Sequence, residues 1–301
     1  MNKKLYWALI VLFSLIFLVS AIFVVRYMID SYRYQQQLED LQRPTQPTRP
    51  SVTLLPPTTS TPWPGTTAPI DTTGPTGPTT PSLPIVLPTQ PPTTPPTQPS
   101  TPGSGMLPDL EPLYNQNNDV VGYIYIEGTR INNPVLQRKS EKDYYLYRDF
   151  FGKDDRHGSI YVREACDVFK PSDNVTIYGH NMADGTMFAD LHKFKDKSFF
   201  NDHPVIYFDT LYERHTYQVV CIFRTSGTYG VGFPFHLYDN FKDEAEFNQF
   251  IKGIRKRNDK VDMINDSGIA VSYGDQFICL STCEDWPIKN GRLVLLAVRI
   301  S

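Results

Sequence analysis

The sequence predicts a mainly β domain, a closed or nearly closed barrel, behind one apolar N-terminal helix and a long proline-rich linker. Three observations predict this. Residues 5–25, "LYWALIVLFSLIFLVSAIFVV", carry no charge. Of the 26 prolines, 19 fall between residues 44 and 102, interleaved with threonine, which leaves 106–301 as the foldable part. That part is a series of short runs rich in β-branched and aromatic residues, separated by polar turns.

The 21 residues of the apolar run, at about 1.5 Å each, match a hydrocarbon core of about 30 Å. A cleaved signal peptide is the rival reading. Its apolar core usually has only about 7–15 residues, which favours a retained anchor, while Val19-Ser20-Ala21 is a cleavage-like site that keeps the rival open. Lys3 and Lys4 precede the run and Arg26 and Arg33 follow it, so flanking charge hardly decides orientation. The helix is expected to continue through 27–43. The stretch beyond it cannot bury enough apolar surface to offset its chain entropy. Extended, some 60 residues reach on the order of 190 Å. Its expected role is reach, as a passive tether through a cell wall or glycan layer, with the C-terminal domain outside the cell. The expected units are a cytoplasmic tip and membrane anchor (1–30), a juxtamembrane helix (31–43), a disordered linker (44–105) and the domain (106–301). A net charge of −3 argues against a nucleic-acid partner.

Strands are expected at 120–126, 158–162, 175–180, 205–209, 217–225, 276–283 and 292–300, with a further short one at 133–136. One segment, 242–257, is helical by pattern. Phe247, Phe250, Ile251 and Ile254 follow the 0, 3, 4, 7 spacing of one face. Asp243 and Glu246 resemble a capping box, and Lys252, Arg255, Lys256 and Arg257 gather where the helix dipole favours cations.

The candidate chemistry sits near the C-terminus. "ICLSTCED" carries Cys283 to a strand tip among polar neighbours, the position of an accessible thiol rather than a packed one. Cys279, four residues earlier in the same strand, is too far away to bridge it or to share a zinc ion. Cys166, Cys221 and Cys279 are read as free or packed thiols. A cysteine nucleophile needs a base and a donor for the developing oxyanion. Of the six histidines, His180 stands out, because "VTIYGH" delivers it to a strand end. Arg292 opens the otherwise apolar "RLVLLAVRI", and a hairpin from Cys283 would return it to the thiol. An ordinary surface histidine and a strand-edge arginine are the plain alternatives.

"LSTC" at a strand tip, an arginine opening the next strand, and "YGH" about a hundred residues upstream together resemble the sortases, membrane-anchored cysteine transpeptidases of Gram-positive surfaces. "TIYGHNMADGTMF", "LSTCED", the helix at 242–257, "INNPVLQ" and "DYYLYRDFFGKDDRHGSIYV" resemble class B in particular, and the likeness covers nearly all of 110–300. The resemblance implies an eight-stranded barrel with an N-terminal helical extension. It implies Cys283 as nucleophile, His180 as general acid/base and Arg292 as the cation that orients substrate and stabilises the oxyanion. It further implies substrate contacts at Asn132, Leu136, Ser281 and Glu284, with Thr225 a looser match. The implied partners are secreted proteins bearing a C-terminal sorting motif, and an amine from a peptidoglycan cross-bridge or a pilin lysine. No metal or organic cofactor is implied. A cysteine hydrolase using water, a peptidoglycan-linking cysteine transpeptidase and a non-enzymatic stalked adhesin are the competing readings.

Overall fold

The structure, a computed structural model, describes residues 3–43, 46–49, 51–57, 105–228, 230–255, 261–284 and 288–301. Nine strands form among the described residues: β1 (Val120–Tyr125), β2 (Asn132–Leu136), β3 (Tyr161–Val162), β4 (Asn174–Tyr178), β5 (Val205–Thr210), β6 (Thr216–Ser226), β7 (Val261–Asp266), β8 (Phe277–Cys283) and β9 (Gly291–Arg299). Around the sheet the order is β5-β1-β2-β3-β4-β8-β9-β6, and β6 pairs back to β5, which closes an eight-stranded barrel. The length of β6 lets it serve two partners on one edge. Its first residues, Thr216 to Gln218, pair with Val205 to Tyr207 of β5, and Cys221 to Thr225 hold β7 as a ninth strand outside the ring.

All eight strands expected from the sequence form. β7 was not anticipated, because its acids obscure the alternation, yet Val261, Met263 and Asn265 are buried, the first two in the outer core. Alternation along the strands fills two cores. Ile177, Ile278, Leu280, Leu293 and Leu295 face the barrel interior. Phe223, Phe277, Cys279, Val294 and Leu296 face outward, against a helix. That helix is the segment read from periodicity. It spans Glu244–Arg255, with Phe247, Phe250, Ile251 and Ile254 all buried. At its start the Glu246 backbone N–H donates to Asp243 Oδ1 (2.8 Å), while the Glu246 carboxylate accepts from the backbone N–H of Lys242 (2.8 Å), one residue earlier than a strict capping box. Strands covered on both sides read as continuous apolar runs, which is why "RLVLLAVRI" shows no polar alternation.

In the N-terminal region the helix continues past the apolar run, as expected for 27–43. One helix, α1, runs unbroken from Lys3 to Leu41, and its second half lies on the barrel. Tyr34 and Leu41 are buried there. Arg43 is buried over the Tyr123 ring and bonds Asp209 (2.8 Å), an acid that also takes Arg49 (2.7 Å) and Arg214 (3.0 Å). Leu55 donates its backbone N–H to Gln218 (2.6 Å), and Pro57 bridges to Ile269. Beyond 57 the expected linker lies outside the described residues until Gly105, and Leu107 then bonds Leu211 (2.7 Å). The chain therefore contacts the barrel on both sides of 58–104, at Leu55 and Pro57 before it and at Leu107 after it. Two short helices were not anticipated: α2 (Glu111–Gln116), which packs beside β1, and α3 (Lys197–Asp202), which packs beside the helical turn at Ala189–Lys195; the helix at 244–255 is α4.

Cys166, Cys221 and Cys279 are free, buried thiols, and burial pushes the Cys166 thiol up to about 12. Cys279→Ala removes one fully buried sulfur from the outer core. The expected loss is roughly 1 kcal/mol, a few degrees in Tm, with turnover retained. Thermal unfolding alongside an activity assay checks both. Loss of turnover in a folded variant would mean that Cys279 does more than pack.

Candidate active site

β4 and β8 run parallel, and Tyr178 pairs with Ser281 at the end of their ladder. The backbone N–H of Gly179 donates to Ser281 O (3.2 Å), which carries the pairing one step further. His180 and Cys283 each lie two residues beyond that last pair, so one register sets both at neighbouring strand tips. Because the side-chain period is two, both emerge on the same face as Tyr178, Ser281 and Cys279. In the antiparallel pair β8–β9, Cys283 is directly opposite Arg292, and Arg292 is opposite Thr225 on β6. His180, Cys283 and Arg292 line one cavity of about 350 Å³. Leu146, Tyr161 and Tyr178 wall it from the β3–β4 side, and Phe233, Phe235 and Leu237 from the segment between β6 and α4.

The His180 ring is held by the chain. Its Nε2 lies 2.7 Å from Leu146 O. A carbonyl only accepts, so Nε2 carries the hydrogen and Nδ1 is left as the accepting nitrogen of the neutral ring. The exposed Tyr147 ring lies against it, with centroids 5.3 Å apart. Burial pushes the imidazole below its ordinary value of 6.5; the Leu146 carbonyl opposes this, while His157 and Arg292 add to it. Gly179, the glycine of "YGH", is required by packing, since a Cβ there would lie 2.7 Å from the ring of fully buried Phe188.

Cys283 is half-buried, and its carbonyl accepts from Asn181 Nδ2 (3.2 Å). Arg292 donates to Gly291 O (3.0 Å) and Asn290 O (3.4 Å), and among the described residues it has no carboxylate partner. The guanidinium therefore keeps donors for an incoming group. Gly227 makes room for it, because a Cβ there would stand 3.0 Å from Arg292 Cζ.

The other expected contacts divide. Ser281 lines the cavity, and its buried hydroxyl lacks a partner among the described residues. Asn132 and Leu136 do not line it. Asn132 Oδ1 accepts from Tyr123 OH (2.9 Å) and Gln46 (3.0 Å), and Leu136 is fully buried beside Tyr34, Leu38 and Leu41 of α1. Thr225 is fully buried, and its hydroxyl accepts from the Phe233 backbone N–H (2.7 Å), which fixes a cavity wall from behind. Glu284 is buried, which would raise its pKa. Its bonds to Arg224 (2.7 Å) and Lys195 (2.7 Å) win, and the carboxyl titrates below the ordinary range. It clamps the strand tip instead of lining the cavity. Sequence reading missed Asn181, Tyr147 and the "FPFHL" wall at 233–237. Adjacency to His180 was a signal for Asn181; the wall carries no periodicity. Among the described residues, no group of His, Cys, Asp and Glu side chains is arranged to hold a metal ion.

Residues 124–300 match the model of the sortase domain. Sortase B of Staphylococcus aureus is 30% identical over 193 residues, which cover 64% of this chain and 75% of that protein. The structure of Staphylococcus aureus sortase B in complex with substrate superposes with a TM-score of 0.58 at 30% identity, over 66% of this chain and 87% of that one. A Bacillus anthracis protein described as similar to sortase B gives a TM-score of 0.56 at 33% identity, over 65% and 84%.

His180 is expected to titrate below 6.5 in the free protein. Replacing Arg292 by alanine removes one cation opposing its protonation, so the midpoint should move up toward 6.5. Because the folded value is depressed, the unfolded chain takes up this proton first, and the group subtracts stability as pH falls below about 6.5. Histidine NMR titration of wild type and Arg292→Ala reads the shift. An unchanged midpoint would mean that the guanidinium is not electrostatically coupled to the ring.

Proposed function

The chain belongs to the sortase family, and to its class B by the relatives it matches, and on that premise we propose that Cys283 is the nucleophile of a sorting transpeptidase. Support comes from a single observation: strand register brings Cys283, His180 and Arg292 to one cavity. In the proposed reaction the thiol attacks the carbonyl at the cleavage site of a C-terminal sorting motif. Its proton passes to His180, a thioacyl enzyme forms, and the leaving amine takes a proton from the imidazolium. An amine acceptor then reverses these steps, with His180 as base. The Leu146 carbonyl holds the ring in the tautomer whose Nδ1 receives the proton, and its bond to Nε2–H persists when the ring is charged. Arg292 donates to the carbonyl oxygen as charge develops there.

The clients on this reading are secreted proteins with a sorting motif. The acceptor is an amine of a peptidoglycan cross-bridge or a pilin lysine. α1 contains a run long and apolar enough to cross a membrane. It is proposed as the single anchor, with the domain on the outer face of a Gram-positive cell. Mass spectrometry of the protein with sorting peptides, with and without candidate amines, tests the function. An amine-dependent product supports transfer, and hydrolysis alone, whatever the amine, would make this a cysteine hydrolase.

Cys283→Ala is expected to abolish transfer with the fold intact, since a strand-tip thiol leaves little cavity. Arg292→Lys keeps the charge but not the planar fork of donors, and should lose about 10²–10³ in the rate of acylation. Intact mass after peptide addition follows acylation directly. Wild-type acylation in Arg292→Ala would transfer the oxyanion role to backbone amides. Ser281→Ala should raise KM about three- to tenfold through one lost hydrogen bond, with kcat little changed; steady-state kinetics on a sorting peptide separates the two.

A further inference from the structure

α1 does not stop where its apolar run stops. The charge-free stretch closes at Val25, and the helix continues to Leu41. Past Val25, residues Tyr27, Ser31, Tyr34, Leu38 and Leu41 recur at spacings of four and three, which puts them on one face. That face is docked. Arg156 lies over the Tyr27 ring (3.7 Å) and donates to Tyr27 O (3.3 Å) and Ser31 Oγ (2.8 Å). Tyr34 stacks on His157 at 4.1 Å and donates to Gly158 O (3.0 Å). His157, fully buried, ties the turn to its neighbour, with Asp155 at 2.7 Å and Asp184 at 2.9 Å. Arg130 in turn donates to Asp184 O (2.8 Å).

Helical rise converts these contacts into heights. Tyr27 lies about 3 Å, Ser31 about 9 Å and Tyr34 about 14 Å beyond Val25. The headgroup layer on each side of a bilayer is about 5–7 Å thick. A domain gripping α1 at Tyr27 and Ser31 therefore has its first gripping turn within the headgroup layer and the next just above it. The undocked side of the same helical stretch agrees. Met28 and Tyr32 are 63% and 61% exposed, an apolar and aromatic surface suited to the interface and not to open water. From Tyr34 a short path leads to the site. Tyr34 OH contacts Met187 Sδ (3.4 Å), Met187 bridges to Asn181, and Asn181 bonds Cys283.

We infer that the pole of the barrel formed by Arg156, Asp184 and Arg130 rests on the phospholipid headgroups, and that this contact fixes the height of Cys283 above the hydrocarbon. The partner is the lipid surface itself, with the guanidinium groups of Arg156 and Arg130 meeting headgroup phosphates. Height is set by the α1 grip and not by 58–104, which comes after the chain has already been bound to the barrel from Tyr27 to Pro57. The inference rests on reading residues 5–25 as a membrane span.

The test uses the full chain carrying Asp154→Cys on a Cys283→Ala background, since the other three thiols are buried. A donor dye on residue 154 is paired with an acceptor on lipid headgroups in phosphatidylcholine–phosphatidylglycerol vesicles. The expected result is that the protein floats with the vesicles, energy transfer is efficient, and a variant lacking 70–89 gives the same efficiency. Flotation with weak transfer, or transfer that changes with linker length, would overturn the docked pole while leaving the anchor standing. Failure to float would overturn the membrane span and this inference with it.

Discussion

Parallel pairing between β4 and β8 is the constraint on which the site depends. Neighbouring parallel strands end at the same height when their ladder is in register, and here the last pair is Tyr178 with Ser281. Two further residues on each strand bring an imidazole and a thiol side by side. A slip of one residue would send either side chain to the other face. The register is enforced by apolar residues that alternate between two cores. Ile278 and Leu280 cannot leave the barrel interior, and Phe277 and Cys279 cannot leave the packing against α4. The site thus inherits its geometry from packing that lies entirely below it.

The third member arrives by a different route. Arg292 stands opposite Cys283 because β8 and β9 are antiparallel neighbours, and opposite Thr225 because β6 flanks β9. Small residues then admit the side chains. Gly179 allows His180 to leave its strand against Phe188, and Gly227 leaves space for the guanidinium. Glu284, bonded to Arg224 and Lys195, holds the residue after the thiol to β6 and to the turn at 192–195. A buried carboxylate clamped by two cations would be costly to break, so it fixes the strand tip without entering the cavity.

Much of this was legible from the sequence, for identifiable reasons. Strand runs in a doubly covered sheet are nearly pure apolar stretches, and the α4 stripe has the helical period, so both are local patterns. The positions of His180, Cys283 and Arg292 at strand ends are local too. Their convergence required the strand order, which the resemblance supplied and the periodicity did not. Asn132 and Leu136 were expected at the groove, and the structure puts them beneath α1 and the strap that follows it, because α1 covers that side of the barrel. Nothing local to "NPVL" reveals which element will cover it. The expected tether is of the same kind, and its residues 58–104 lie outside the described residues. Composition describes 44–105 well enough as a segment without a core, but composition does not say whether the chain is already bound to the barrel before that segment begins.

The electrostatics of the site carry one further consequence. Arg292 and His157 both oppose a proton on His180, and burial opposes it more strongly. The cation that would stabilise an oxyanion therefore also disfavours the imidazolium in the resting protein. A resting imidazolium would be ready to protonate a leaving amine but unable to accept the thiol proton. A neutral ring with Nε2–H fixed on Leu146 O is ready to accept it. As charge develops on a substrate oxygen beside Arg292, the guanidinium is partly neutralised, and its opposition to a charged His180 falls at the step where the imidazolium must form. On the proposed mechanism, proton transfer to the ring and charge development on the substrate are thus mutually supporting.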